Sequence, residues 1–223
     1  MLIEGGSAFG HQASVRACAV DLHATDLHAT DLDDGEPRAA APRGVDRCED
    51  GAMRILLKIV LDCDPDAAWR AVHSPRAVAE LYGPFVDLEP MDPAGLPTAW
   101  TPGLDVPVQM SALGLVPMGQ QLIHTSERVV EEPAGQVRIF RDSGIPLTGP
   151  LSMLDVWDHQ MAISPVPGHP EKTLWRERLT IGGPAAIALW PVLWGVWQWR
   201  AARIKALAPT WAHDPELAAP HSD

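Results

Sequence analysis

Between Pro184 and Leu207 the chain carries a run that cannot stand bare in water. Four of its nine tryptophans (Trp190, Trp194, Trp197 and Trp199) fall within ten residues there. At helical spacing Ile187, Trp190, Trp194, Trp197, Ala201 and Ile204 predict one apolar face, widened by Leu189, Val192 and Val196. Arg200, Arg203 and Lys205 gather in the last turns, where cations suit the helix dipole. Gly182-Gly183-Pro184 predicts the start of the helix and Pro209 its end. Burying four tryptophans would remove roughly 600–1,000 Å² from water. At about 25 cal/mol/Å² that is on the order of 15–25 kcal/mol of gross transfer energy. Such a helix needs a partner surface.

The surface is either a bilayer or a sheet of the same chain. No charge falls between Leu179 and Trp199, but the helix begins only after Gly183. From Pro184 to the first arginine it reaches roughly 24 Å, short of the ~30 Å hydrocarbon core, and Pro191 interrupts it. A helix buried on a sheet is the favoured expectation, and membrane contact the less favoured one.

Charge narrows the partners further. Of the net −12, residues 1–52 supply ten acids against four arginines, and residues 210–223 three acids and no base. No basic stripe exists for phosphate contacts, so nucleic acid is not an expected partner. Cys18, Cys48 and Cys63 form no C-x-x-C pair, and Met1-Leu-Ile-Glu4 shows no basic and apolar leader pattern, which together predict a reducing cytoplasm. Residues 1–52 contain the direct repeat Asp21-Leu-His-Ala-Thr25, Asp26-Leu-His-Ala-Thr30 and a single aromatic, Phe9, which predicts a disordered acidic extension. His23 and His28 lie on different sides of any helix, so no metal is expected there. The tail 210–223 is expected to be disordered too, and Met53 is a plausible alternative start.

Residues 53–209 read as one domain. Arg54–Leu61 is rich in β-formers. Asp64-Pro65 and Ser74-Pro75 each pair an N-cap with a first-turn proline, predicting short helices over Asp66–His73 and Arg76–Tyr82. Six strands follow, over Phe85–Pro90, Val106–Leu113, Gln120–Val130, Gln136–Arg141, Ser152–Ser164 and Leu174–Ile181, separated by Pro/Gly turns. One strand, two small helices, six strands and a long apolar helix is an uncommon order. With Asp64-Pro-Asp-Ala-Ala-Trp-Arg-Ala-Val72, Leu174-Trp-Arg-Glu-Arg-Leu-Thr180 and Leu193–Ile204, it resembles the START/SRPBCC superfamily of polyketide cyclase/dehydrase-like and lipid-transport-like proteins. The resemblance implies an α+β helix-grip fold: a curved antiparallel sheet of about seven strands wrapped around the C-terminal helix, with a cavity between them for an apolar ligand. The extension, the tryptophan-rich helix and Pro191 depart from that pattern, and the tryptophans are expected to fill part of the cavity.

Strand alternation selects the inward residues. Trp175, Glu177, Leu179 and Ile181 share one face of the last strand, with Arg176 and Arg178 on the other. Trp157, His159, Met161 and Ile163 share a face of the strand before it. The expected ligand-binding set is Tyr82, Met110, His124, Trp157, His159, Met161, Trp175, Glu177, Trp194 and Trp197. His124 and Arg141 have no clear face. His159 and Glu177 would form a proton-transfer pair, a polar anchor for a ligand, or a closed hydrogen-bonded contact. There is no G-x-S-x-G, P-loop, G-x-G-x-x-G or zinc-ligand set, so no cofactor or metal is expected. The leading expectation is a protein that binds a small hydrophobic or lipid-like molecule between sheet and C-terminal helix, without covalent chemistry. The alternatives are a cyclase or dehydratase using His159 and Glu177, and a module docking its tryptophan helix on a membrane or partner.

Overall fold

The computed structural model describes residues 52–132, 135–214 and 217. The acidic extension, with Cys18, Cys48 and the histidines of the repeat, lies outside the described residues except for Ala52. The elements run β1 (Met53–Leu61), α1 (Pro65–His73), α2 (Pro75–Tyr82), β2 (Val86–Pro90), β3 (Asp105–Ala112), β4 (Val116–Glu132), β5 (Gly135–Asp142), β6 (Val156–Val166), β7 (His169–Gly182) and α3 (Ala186–Trp211). All seven strands join one antiparallel sheet in the order β1-β7-β6-β5-β4-β3-β2, with α3 packed on it: the helix-grip α+β fold. The resemblance stated above therefore holds at the level of architecture.

Both short helices start as the capping rules require. The Asp64 carboxylate accepts from the Asp66 N–H at 2.7 Å, the Ser74 hydroxyl from the Ala77 N–H at 3.2 Å, and each helix opens on proline. Ala67, Ala68, Ala71, Val72, Ala77 and Leu81 are buried, so the pair closes one end of the core beside Trp175. After β7 the chain turns sharply at Gly183 (φ +105°), where a Cβ would sit 2.6 Å from the Asp155 amide nitrogen. That close approach also holds the β5–β6 connection, including a single 3-10 turn at Pro150–Met153, against the start of α3.

The sequence places α3 correctly but misjudges its face and its ends. The helix starts at Ala186, two residues after Pro184, and continues through Pro209 to Trp211. A proline this close to a C-terminus removes a hydrogen bond only where the helix is already ending. The buried stripe is Ala186, Leu193, Trp197, Arg200, Ile204, Ala208 and Trp211, whereas Ile187 is 65% exposed and Trp194 37%. With Trp190 and Trp199 half-buried, Trp197 is the only fully buried tryptophan of the four, and the expected four-fold burial is an overestimate. Apolar residues surround nearly the whole circumference of the first half, so periodicity alone does not fix which side meets the sheet. No helix among the described residues is long and apolar enough to cross a membrane.

Candidate functional site

The inner face of the sheet is set by register. His159 pairs with Leu179 and Asp142, Met161 with Glu177 and Phe140, and Ile163 with Trp175, so alternate residues of β5, β6 and β7 converge on α3 as expected. Arg176 and Arg178 point to the opposite face, and both are nonetheless buried, Arg176 at 3.5 Å from Glu132 and Arg178 at 4.0 Å from Asp158. Arg141 lies on that side also, bonded to Asp158 at 2.6 Å.

Between the sheet and the first half of α3 lies a cavity of about 170 Å³. Its walls are mostly apolar: Val108's neighbours Met110 and Ile123 on β3 and β4, Phe140 and Met161 on the sheet floor, and Leu189, Val192, Leu193 and Val196 on the helix. Of the ten expected ligand-binding residues, Tyr82, Met110, Trp157, His159, Met161 and Trp197 line it. Tyr82, Trp157 and His159 all meet the Trp197 ring edge-on, at centroid separations of 6.4, 6.4 and 5.1 Å.

The other four do not line the cavity. His124 sits outside, bonded to Asp105 at 2.7 Å with its side chain 41% exposed. Trp175 is fully buried in the neighbouring closed core, 5.9 Å from the Trp211 ring. Trp194 lies on the rim of the buried stripe, three residues before Trp197, and is 37% exposed. Glu177 is inward but spoken for. It accepts from Trp175 Nε1 at 2.8 Å and from Arg200 Nε at 3.0 and 3.2 Å, and lies 3.3 Å from His159 Nε2. Burial alone would push this carboxyl up. Arg200, His159 and Trp175 outweigh burial and hold it down at about 2. A carboxylate so held is ionised at neutral pH, with both oxygens already accepting hydrogen bonds.

Sequence reasoning missed the polar residues that matter most here. Arg200, read as a last-turn cation suited to the helix dipole, is 1% exposed, stacked 4.7 Å over the Tyr82 ring and bonded to Glu177. The signal was present, since Arg200 follows Trp197 by three on the buried stripe. Asp142 and Gln121 also line the cavity, two residues on from Phe140 and two before Ile123. Asp142 accepts from the Gly144 and His124 amides at 3.1 and 3.2 Å and from Trp157 Nε1 at 3.3 Å. Burial pushes its carboxyl above the usual range despite those bonds. Trp100, in the β2–β3 connection, reaches the cavity because its amide is tied to the His73 carbonyl at 2.8 Å.

Among the described residues, no group of three or more His, Cys, Asp or Glu could hold a metal ion. No protein-family model and no curated protein matches the sequence. Solved structures with a similar arrangement include a protein from Arthrobacter aurescens, 15% identical, with a TM-score of 0.48 over 82% of this chain and 99% of that one. A norcoclaurine synthase from Thalictrum is 11% identical, with a TM-score of 0.47 over 71% of this chain and 94% of its own. An aromatase/cyclase from Streptomyces is 12% identical, with a TM-score of 0.45 over 72% and 96%. At these identities and scores the likeness concerns the arrangement of elements and nothing in the site.

Proposed function

We propose that this protein binds a small hydrophobic molecule in the cavity between its sheet and the first half of α3. The observation that carries the reading is the cavity itself, about 170 Å³ in a floor and roof of Met110, Ile123, Phe140, Met161, Leu193 and Trp197. Apolar walls left facing water are a cost that an apolar ligand covering them relieves. An apolar cavity of ~150 Å³ accommodates benzene, so the enclosed space suits a ring-sized ligand or the ring-sized end of a longer one. A second reading, proton transfer in the same space, would fall to His159 and Asp142, which both line the cavity, because Glu177 is locked to Arg200.

The test is to fill the space. Leu193→Trp places a large ring where Leu193 lines the cavity. Cumene binding, followed by calorimetry, is expected to saturate with the unaltered protein and to vanish with the variant while the fold is retained by circular dichroism. Undiminished uptake by Leu193→Trp would place the binding elsewhere.

A further inference from the structure

The face of the sheet turned away from α3 is buried, and no described helix packs on it. Register sets one row straight across that face: Lys58, Arg176, Ala162, Ile139 and Arg128 stand side by side on β1, β7, β6, β5 and β4. Ala162, Ile139 and Arg176, with Gln160 and Arg178 in the next row, are each at most 2% exposed. Val137, Ile139 and Ala162, with Val130 beside them, form a small apolar cluster separate from the two larger cores. Every member of it comes from a strand. Residues of α1, α2, α3 and the 3-10 turn belong instead to the two cores on the inner face.

An antiparallel sheet with one wet face alternates apolar-in and polar-out. Here the outward positions of β5 and β6 hold Val137, Ile139 and Ala162. Neighbours within one layer flank a side chain but do not roof it. The long arginines that could lean over Ala162 are themselves buried, and arginine is almost never fully buried without a partner. Among the described residues Arg176 meets Glu132 at 3.5 Å, and its Nε and Nη2 have no hydrogen bond. Such a face calls for a second layer.

Charge and chain length select the layer. Arg128, Arg141, Arg176 and Arg178 face outward with Asp158 and Glu132 among them, an excess of positive charge. Residues 1–51 carry the opposite excess, ten acids against four arginines. They join the sheet at the buried Ala52, just before the edge strand β1. From β1 to β5 is three strand spacings, roughly 14 Å, which about five extended residues span. The direct repeat also puts an aliphatic beside each acid, in Asp21-Leu22, Asp26-Leu27 and Asp31-Leu32. That pairing suits a surface where arginines flank Val137 and Ile139.

We propose that residues 1–51 lie across this face as its second layer, their carboxylates meeting Arg176 and its neighbours and the leucines of the repeat covering Val137 and Ile139. The extension is then part of the folded domain, independent of what the cavity on the other face binds.

The test uses the full chain with Cys18→Ser and Cys48→Ser and one reporter thiol at a time: Ala162→Cys under the layer, or Val129→Cys at an exposed position. Cys63 is buried in either case. Maleimide is expected to label Ala162→Cys at least about tenfold more slowly than Val129→Cys. Changing the ten acids of residues 1–51 to Asn or Gln should remove most of that difference, with the circular dichroism spectrum and a monomeric sedimentation coefficient retained. Trypsin should likewise spare Arg38, Arg43 and Arg47 in the unaltered chain and cut there readily in the neutralised one. Fast labelling of Ala162→Cys at the outset, or protection that survives neutralisation, would overturn the proposal. Protection that fades on dilution, with a dimer in sedimentation, would assign the cover to a second copy of the chain and overturn it too. Were the neutralised variant to lose its fold, the unaltered chain decides alone: rapid cleavage at those three arginines refutes the layer, and resistance upholds it.

Discussion

One helix serves two different ends of the molecule. Up to Trp197, α3 roofs the cavity: Leu189, Val192, Leu193, Val196 and Trp197 line it, while Ile187 is exposed and Trp194 partly so. Beyond Arg200 the inner stripe of the same helix is closed. Ile204, Ala208 and Trp211 are at most 3% exposed and pack with Trp175, the buried alanines of α1 and Leu217. The difference lies in what the sheet supplies opposite. Under the second half stands the bulk of Trp175, whereas under the first half lie the smaller Val108 and Met110 and the amide of Gln121. The inner face of α3 is mostly apolar in both halves, yet core or cavity is decided by the strands facing it. Arg200 and Glu177 mark the border.

Breaking that border is expected to have the largest effect. Arg200→Met leaves the Glu177 charge in a site that is 2% exposed, and removing one partner of a buried pair typically costs about 3–5 kcal/mol. The double change Arg200→Met with Glu177→Leu, which removes both charges, should recover most of that loss. Urea unfolding of the two variants measures it. A single variant as stable as the unaltered protein would mean that the pair does not hold the two halves in register.

A smaller effect should separate the halves directly. Ile204→Ala opens a void in the closed half and is expected to cost about 2–5 kcal/mol. Leu193→Ala enlarges a space that already exists, next to a rim open to solvent, and should cost roughly 1–2 kcal/mol, the lower end of the transfer value alone. Equal losses in the same unfolding assay would erase the contrast between a packed and an unpacked half.

Much of this arrangement was legible in the residues. Asp64-Pro65 and Ser74-Pro75 announce the helix pair, and period-two alternation puts His159, Met161, Trp175 and Glu177 on one face, where the structure has them. What alternation does not carry is how far along the sheet each residue sits from the helix. Trp175 and His159 face the same way, yet one is entombed by Trp211 and the other meets the cavity. Charge was also read too simply. Arg200 looked like a dipole-end cation because its partner, Glu177, is twenty-three residues away in sequence and beside it in space. Trp194 misled for the opposite reason: its hydrophobicity argues for burial, but a tryptophan on a helix rim can stay partly wet.

The smallest expected effect is the early response to acid, because two carboxyls on either side of the border act in opposite senses. Glu177 is held at about 2, below the ordinary carboxylate value of 4.5. The stability it contributes is complete above that ordinary value and is lost as pH falls toward about 2. Asp142, in the open half, is raised by burial, so its ionised form is a cost at neutral pH that is relieved as pH falls and the group takes up its proton. Melting temperature followed from about pH 7 to pH 2 should therefore hold level or rise slightly before it falls. Asp142→Asn should abolish the early rise and leave the late fall. The Arg200→Met, Glu177→Leu double variant should keep the rise and flatten the fall. A profile in which the Asp142 change moves the late fall, or the double change moves the early rise, would show that the two carboxyls titrate as one site. The border between the cavity and the closed core would then have no electrostatic meaning.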